Sequence, residues 1–124
     1  MNLYRRDDDN KWMQINTIES GVSGGRCSIS GDTIAVIILN GSYSIQLYEY
    51  NQDQNSMTPV QDPIPTVQID SMDLSNDYLV YRGFDFDKKE SSAFIYHRNE
   101  TNQTFTLHQQ FNFISTHYHL ALIC

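Results

Sequence analysis

Cysteine is nearly missing from this chain: Cys27 and Cys124 are the only two, and the second is the final residue. That excludes a disulfide framework and a cysteine-rich zinc site, so the pair reads as two free thiols. Long apolar stretches are missing too. No window approaches the roughly 18 consecutive apolar residues of a spanning helix, and the opening "MNLYRRDDDN" lacks the apolar segment of a leader peptide. The expectation is a soluble protein without a secretory address, cytoplasmic if the chain is complete and compatible with an extracellular place if it is a fragment. Positive charge is scarce, with 8 Lys and Arg against 15 Asp and Glu and a net charge of -7. An acidic surface attracts neither a nucleic-acid backbone nor an anionic membrane, so neither is expected as a partner.

Catalytic signatures are equally sparse. There is no Gly-x-Ser-x-Gly, and Gly21-Val22-Ser23-Gly24-Gly25 lacks the Lys-Ser/Thr that would follow in a phosphate loop, so it reads as a flexible connection. His117-Tyr118-His119, with His97 and His108, is the one cluster that suggests a metal. Residues 117 and 119 would share a strand face, but no carboxylate or cysteine spacing completes a site, and exposed strand positions account for these histidines. No catalytic residue and no cofactor is expected. Asn and Gln recur in "NQDQN" and "NETNQ" and are assigned to turns between strands. The glycosylation-type triplets at Asn40, Asn99 and Asn102 follow from that composition and matter only in a secreted protein.

What the chain does have is a repeat. Ile29-Ser30-Gly31-Asp32 matches Leu74-Ser75-Asn76-Asp77, and the apolar run from Ile34 matches the one from Leu79, an offset of 45 residues. A second anchor keeps a similar period. Aromatic dipeptides followed by polar turns occur in "LYRRDDDNKW", "LYEYNQDQNSM" and "IYHRNETNQTF", placing Tyr4, Tyr48 and Tyr96 at intervals of 44 and 48 residues. A large apolar residue, Trp12, Met57 or Phe105, follows each tyrosine after 8 or 9 positions. A unit of this size cannot bury its own apolar face and must stack on a neighbour.

The local patterns specify strands. Tyr43, Ile45 and Leu47 alternate with polar residues, whereas Ile34 to Leu39 is apolar throughout, as suits a strand covered on both faces. Asn40-Gly41 predicts a hairpin with both residues at positive φ. Tyr48, Tyr50 and Trp12, at strand spacing, are expected to pack between units rather than to form a ligand platform. No segment shows a helical period. Each unit reads as four strands in about 45 residues, which is one propeller blade.

The units "LYRRDDDNKWMQI" with "CSISGDTIAV", and "DLSNDYLVY" with "IYHRNETNQTFTLHQQF", resemble β-propeller repeats of the FG-GAP or integrin-alpha-like class. The Phe-Gly and Gly-Ala-Pro turns that name the class are not written out, and Gly24-Gly25 and Arg82-Gly83 are their nearest counterparts. The resemblance implies an all-β fold, a partial β-propeller of about two and a half four-stranded blades, with a small β-sandwich as the alternative. The approximate units are 3–46, 47–94 and 95–124, the last truncated.

Members of that class often hold calcium in an Asp-x-Asp-x-Asp-Gly loop. The candidates here are Asp85, Asp87 and Glu90, and Asp7-Asp8-Asp9-Asn10. Neither set has the third spaced carboxylate with glycine, and Lys88 and Lys89 oppose a dication, so no metal is expected. Two and a half blades cannot close a ring. The preferred reading is that the chain is a fragment of a longer protein; the alternatives are that copies associate through open strand edges or that it forms the sandwich. The resemblance implies a non-enzymatic module with a protein- or ligand-binding surface, partnered by another protein or by neighbouring blades. An enzyme with active-site residues on missing blades is the alternative, and a degenerate product without an independent role is a third.

Overall fold

The computed structural model describes residues 1–19, 21 and 26–114. Those residues form an all-β structure of eleven strands: β1 (Asn2–Arg6), β2 (Trp12–Thr17), β3 (Cys27–Ser30), β4 (Thr33–Asn40), β5 (Ser42–Asn51), β6 (Ser56–Pro59), β7 (Ile64–Pro65), β8 (Gln68–Leu74), β9 (Tyr78–Asp85), β10 (Glu90–Arg98) and β11 (Phe105–Ile114). They assemble into three antiparallel sheets. One holds β1 and β2, the middle one runs β3-β4-β5-β6 with β7 also on β5, and the last runs β8-β9-β10-β11.

The middle and last sheets share a pattern of strand pairing. Ile29 pairs with Ile34, and Ile34 with Tyr48; one unit later Leu74 pairs with Leu79, and Leu79 with Tyr96. In all three sheets the residue two beyond the tyrosine faces the large apolar anchor: Arg6 opposite Trp12, Tyr50 opposite Met57, Arg98 opposite Phe105. Paired hydrogen bonds repeat as well, from the Tyr50 amide to the Asp32 carbonyl (2.8 Å) and from the Arg98 amide to the Asp77 carbonyl (2.7 Å). The β1-β2 hairpin thus corresponds to β5-β6 of the middle sheet and β10-β11 of the last. Units drawn from the aromatic dipeptide begin in mid-sheet, whereas the two larger sheets occupy residues 27–65 and 68–114.

Offsets of 45 and 48 coexist for a local reason. The β9-β10 loop holds residues 86–89 between the paired Asp85 and Glu90, where the β4-β5 loop holds Gly41 between Asn40 and Ser42. The Asn40-Gly41 hairpin forms, but only Gly41 takes a positive φ (76°); Asn40 stays in the strand.

The middle sheet is covered on both faces. Strand residues alternate sides, so Ala35, Ile37, Ile45 and Leu47 pack with Leu79, Tyr81 and Phe105 of the last sheet, while Ile34, Val36, Tyr48 and Tyr50 pack towards Met1, Leu3 and Ile18. The continuous apolar run of β4 has this cause, as expected. Each fully buried Ile or Leu contributes on the order of 2 kcal/mol.

Tyr81 lies in the contact between sheets, its ring stacked on Phe94 (centroids 4.7 Å apart). Burial pushes its hydroxyl far above the usual tyrosine range. The unfolded chain ionises this group near pH 10, so its contribution to stability is complete below that value and declines as pH rises beyond it. We expect denaturant-measured stability to fall between pH 9 and pH 11, and to fall less in Tyr81→Phe; the same pH slope in both proteins would refute this origin.

Candidate binding surface

Antiparallel order brings one set of turns to one end of every sheet: the turn before β4, the turn before β9, and the turns β1-β2, β5-β6 and β10-β11. The last three are built alike. Asp7, Asn51 and Asn99, each three residues after its repeat tyrosine, accept backbone N–H bonds through Oδ1: Asp7 from Asp9 (3.0 Å) and Lys11 (2.8 Å), Asn51 from Gln54 (3.0 Å), Asn99 from Thr101 (2.8 Å). A left-handed residue follows in each, Asn10, Asn55 or Gln103, with φ between 50° and 62°. Asn and Asp suit the first position because their side chains bond the backbone two or three residues on.

These turns make a polar rim. Asp8, Asp9, Asp32, Asp53, Asp77 and Glu100 are exposed along it. Two clefts open between the turns of adjacent sheets. One of about 350 Å³ lies between β1 and the middle sheet, lined by Leu3, Arg5, Arg6, Ile29, Asp32 and Tyr50 among others. There Arg5 donates to the Tyr50 hydroxyl (3.3 Å), that hydroxyl donates to Asn55 Oδ1 (2.6 Å), and Gln52 donates to Asp32 (3.0 Å). The second cleft, about 330 Å³, is lined by Glu49, Val60, Arg98, Asn102 and Gln103. The Arg98 guanidinium lies 4.7 Å from the Phe105 ring centroid and donates to Thr33 Oγ1 (2.5 Å), which donates to Glu49 (2.9 Å). Arg5 and Arg98 are thus bonded to neighbours inside the clefts, where Asp32 and Glu49 also lie, while Asp8, Asp9, Asp53, Asp77 and Glu100 stand exposed on the turns.

The other candidate residues fall elsewhere. Asp85 accepts from the amides of Asp87 (3.0 Å) and Lys88 (3.1 Å), so one carboxylate oxygen is occupied in shaping the β9-β10 loop at the opposite end. The Asp7 carboxylate is likewise occupied by its own turn. Among the described residues no three or more His, Cys, Asp or Glu converge on a common point. His97 and His108 are brought together, with ring centroids 6.1 Å apart, beside Tyr78. His117, His119 and Cys124 lie outside the described residues, as does 22–25 of the glycine-rich connection. Cys27 is a free, exposed thiol.

Two expectations need correction. Tyr48 and Tyr50 pack between sheets, but Trp12 is 67% exposed, because no sheet lies against its side of the β1-β2 hairpin among the described residues. Glutamine is also more than turn material. Gln46 is buried in β5 and donates to the carbonyls of Leu47 and Gln61 (3.1 and 3.0 Å), and the Gln61 side chain holds both backbone groups of Phe105, accepting from its N–H (2.7 Å) and donating to its C=O (3.0 Å). One signal marked Gln61 in advance: Gln109 follows it by the 48 residues that separate Tyr48 from Tyr96.

In comparisons with known proteins, no family model matches this chain and no curated protein matches it.

Proposed function

We propose that this chain is a non-enzymatic β-propeller repeat module, similar to the FG-GAP class, that binds a protein partner along its turn-bearing rim. The observation that carries this reading is the threefold turn, in which Asp7, Asn51 and Asn99 hold the same backbone-capping role at the same end of successive sheets. A scaffold that repeats a rigid turn offers a firm surface at little entropic cost, and binding residues concentrate on loops so positioned. The rim's exposed carboxylates make a partner bearing lysine or arginine the complementary one. Fold resemblance alone would not identify a function; the charge of the rim supplies the chemistry.

The test is fluorescence anisotropy with a labelled Lys/Arg-rich peptide and a Glu-rich peptide of equal length. The folded chain should bind the basic peptide saturably and more weakly as salt rises. In Asp8→Lys/Asp53→Lys/Asp77→Lys, three exposed rim positions, that binding should drop at least tenfold. Absence of binding by the parent chain, or equal binding by the variant, overturns the assignment of the rim.

A further inference from the structure

The contact between the middle and last sheets has two sides, and among the described residues each side recurs with no sheet packed on it. On one side stand Ala35, Leu47 and Ile64, and on the other Tyr96 and Phe105. Register carries the first set onto Val80, Ile95 and Phe111 of the last sheet, since Ile45 pairs with Ile64 as Ala93 pairs with Phe111. Val80 and Ile95 are half-buried where Ala35 and Leu47 are fully buried, and Phe111 is 42% exposed where Ile64 is 6% exposed. Register carries the second set onto Tyr4 and Trp12 of the hairpin, 49% and 67% exposed against 2% for Phe105. The uncovered faces are therefore the two halves of a contact the molecule already makes internally.

Polar groups repeat with them. Gln109, exposed on β11, stands 48 residues after Gln61, which bonds both backbone groups of Phe105 across the internal contact. Arg82, at the place of Ile37, has its counter-ion beside it, Asp70 at 3.4 Å, so covering this face strands no charge.

We infer that two copies of this chain associate head to tail, the Tyr4/Trp12 face of one seating on the Val80/Ile95/Phe111 face of the next. The contact is heterologous, so each copy keeps one free half until the assembly closes. Two copies bring six sheets together, within the roughly four to eight that a propeller ring accommodates. The inference rests on the strand register and not on the rim's partner, so a failed peptide-binding experiment leaves it standing.

Sedimentation velocity on the full chain decides it, together with Trp12→Asp, Phe111→Asp and their equimolar mixture. Over a roughly hundredfold concentration range the wild-type chain should shift from monomer to assemblies of at least two copies. Each variant alone should stay monomeric. The mixture should form a one-to-one dimer and nothing larger, because only Trp12 of the Phe111→Asp chain and Phe111 of the Trp12→Asp chain can still meet. Monomeric wild type throughout, assembly of either variant alone, or a mixture that stays monomeric would each overturn the inference. Both replaced side chains are exposed, and wild-type melting behaviour checks that each variant is folded. Should Phe111→Asp fail that check, Gln109→Ala replaces it, with at least a tenfold weakening of assembly expected and unchanged assembly counting against the proposal.

Discussion

Leu79→Asp leaves no cooperative unfolding transition, and Ile34→Asp does the same, while Asn99→Asp melts like the parent chain. Leu79 is 0% exposed and Ile34 3% exposed, and each is the central member of a ladder, paired with Leu74 and Tyr96 or with Ile29 and Tyr48. A carboxylate at either place replaces a buried apolar side chain and must stay charged at a cost of several kcal/mol, about 3–5, or take up a proton. Domains of this size have about 5–15 kcal/mol in all. Asn99 differs because its task is to accept amide bonds through Oδ1, and Asp7 performs that task at the corresponding turn. Circular dichroism on heating reads all three. A sigmoidal melt for Leu79→Asp near the parent midpoint would refute the register assigned to β9.

The second large effect sets two equivalent positions against each other. Phe105→Ala should cost about 3–5 kcal/mol, the range for emptying a buried aromatic site, and lower the Tm by on the order of 10 °C or more. Trp12→Ala, measured where copies do not associate, should stay within about 0.5 kcal/mol. Phe105 lies between two sheets, carries the Arg98 guanidinium on its ring, and has its backbone held by Gln61. Trp12 occupies the same register position and is 67% exposed, with no sheet against that face among the described residues. Equal losses at the two sites would mean that burial, rather than repeat position, has been misassigned.

Strand identity, the hairpins and the double-faced burial of β4 were legible because alternation and β-branched runs report directly on which faces are covered. The matching pairing of Ile34 with Tyr48 and of Leu79 with Tyr96 could be anticipated from their spacing. The exposure of Trp12 was not: matching positions predict a shared place in the strand pairing, and say nothing of what packs against that place. Gln46 and Gln61 escaped for another reason. The role of such an amide is set by the backbone groups it meets, and apart from the neighbouring Leu47 carbonyl these lie 15 and 44 residues away in the chain. The rim was half-visible, since Asp7, Asn51 and Asn99 follow their tyrosines at a fixed distance, but a common end for the turns follows only once strand order is known.

The unequal β4-β5 and β9-β10 loops carry a consequence for how such a chain changes over generations. Residues 86–89 stand where Gly41 stands alone, yet the paired strands on either side keep their alignment and every side chain keeps its face. Insertions at this end are thus invisible to the core, whereas a single residue added within β9 would invert the pattern of everything after it. Sequence drift can accumulate in the hairpin tips while the interior barely moves.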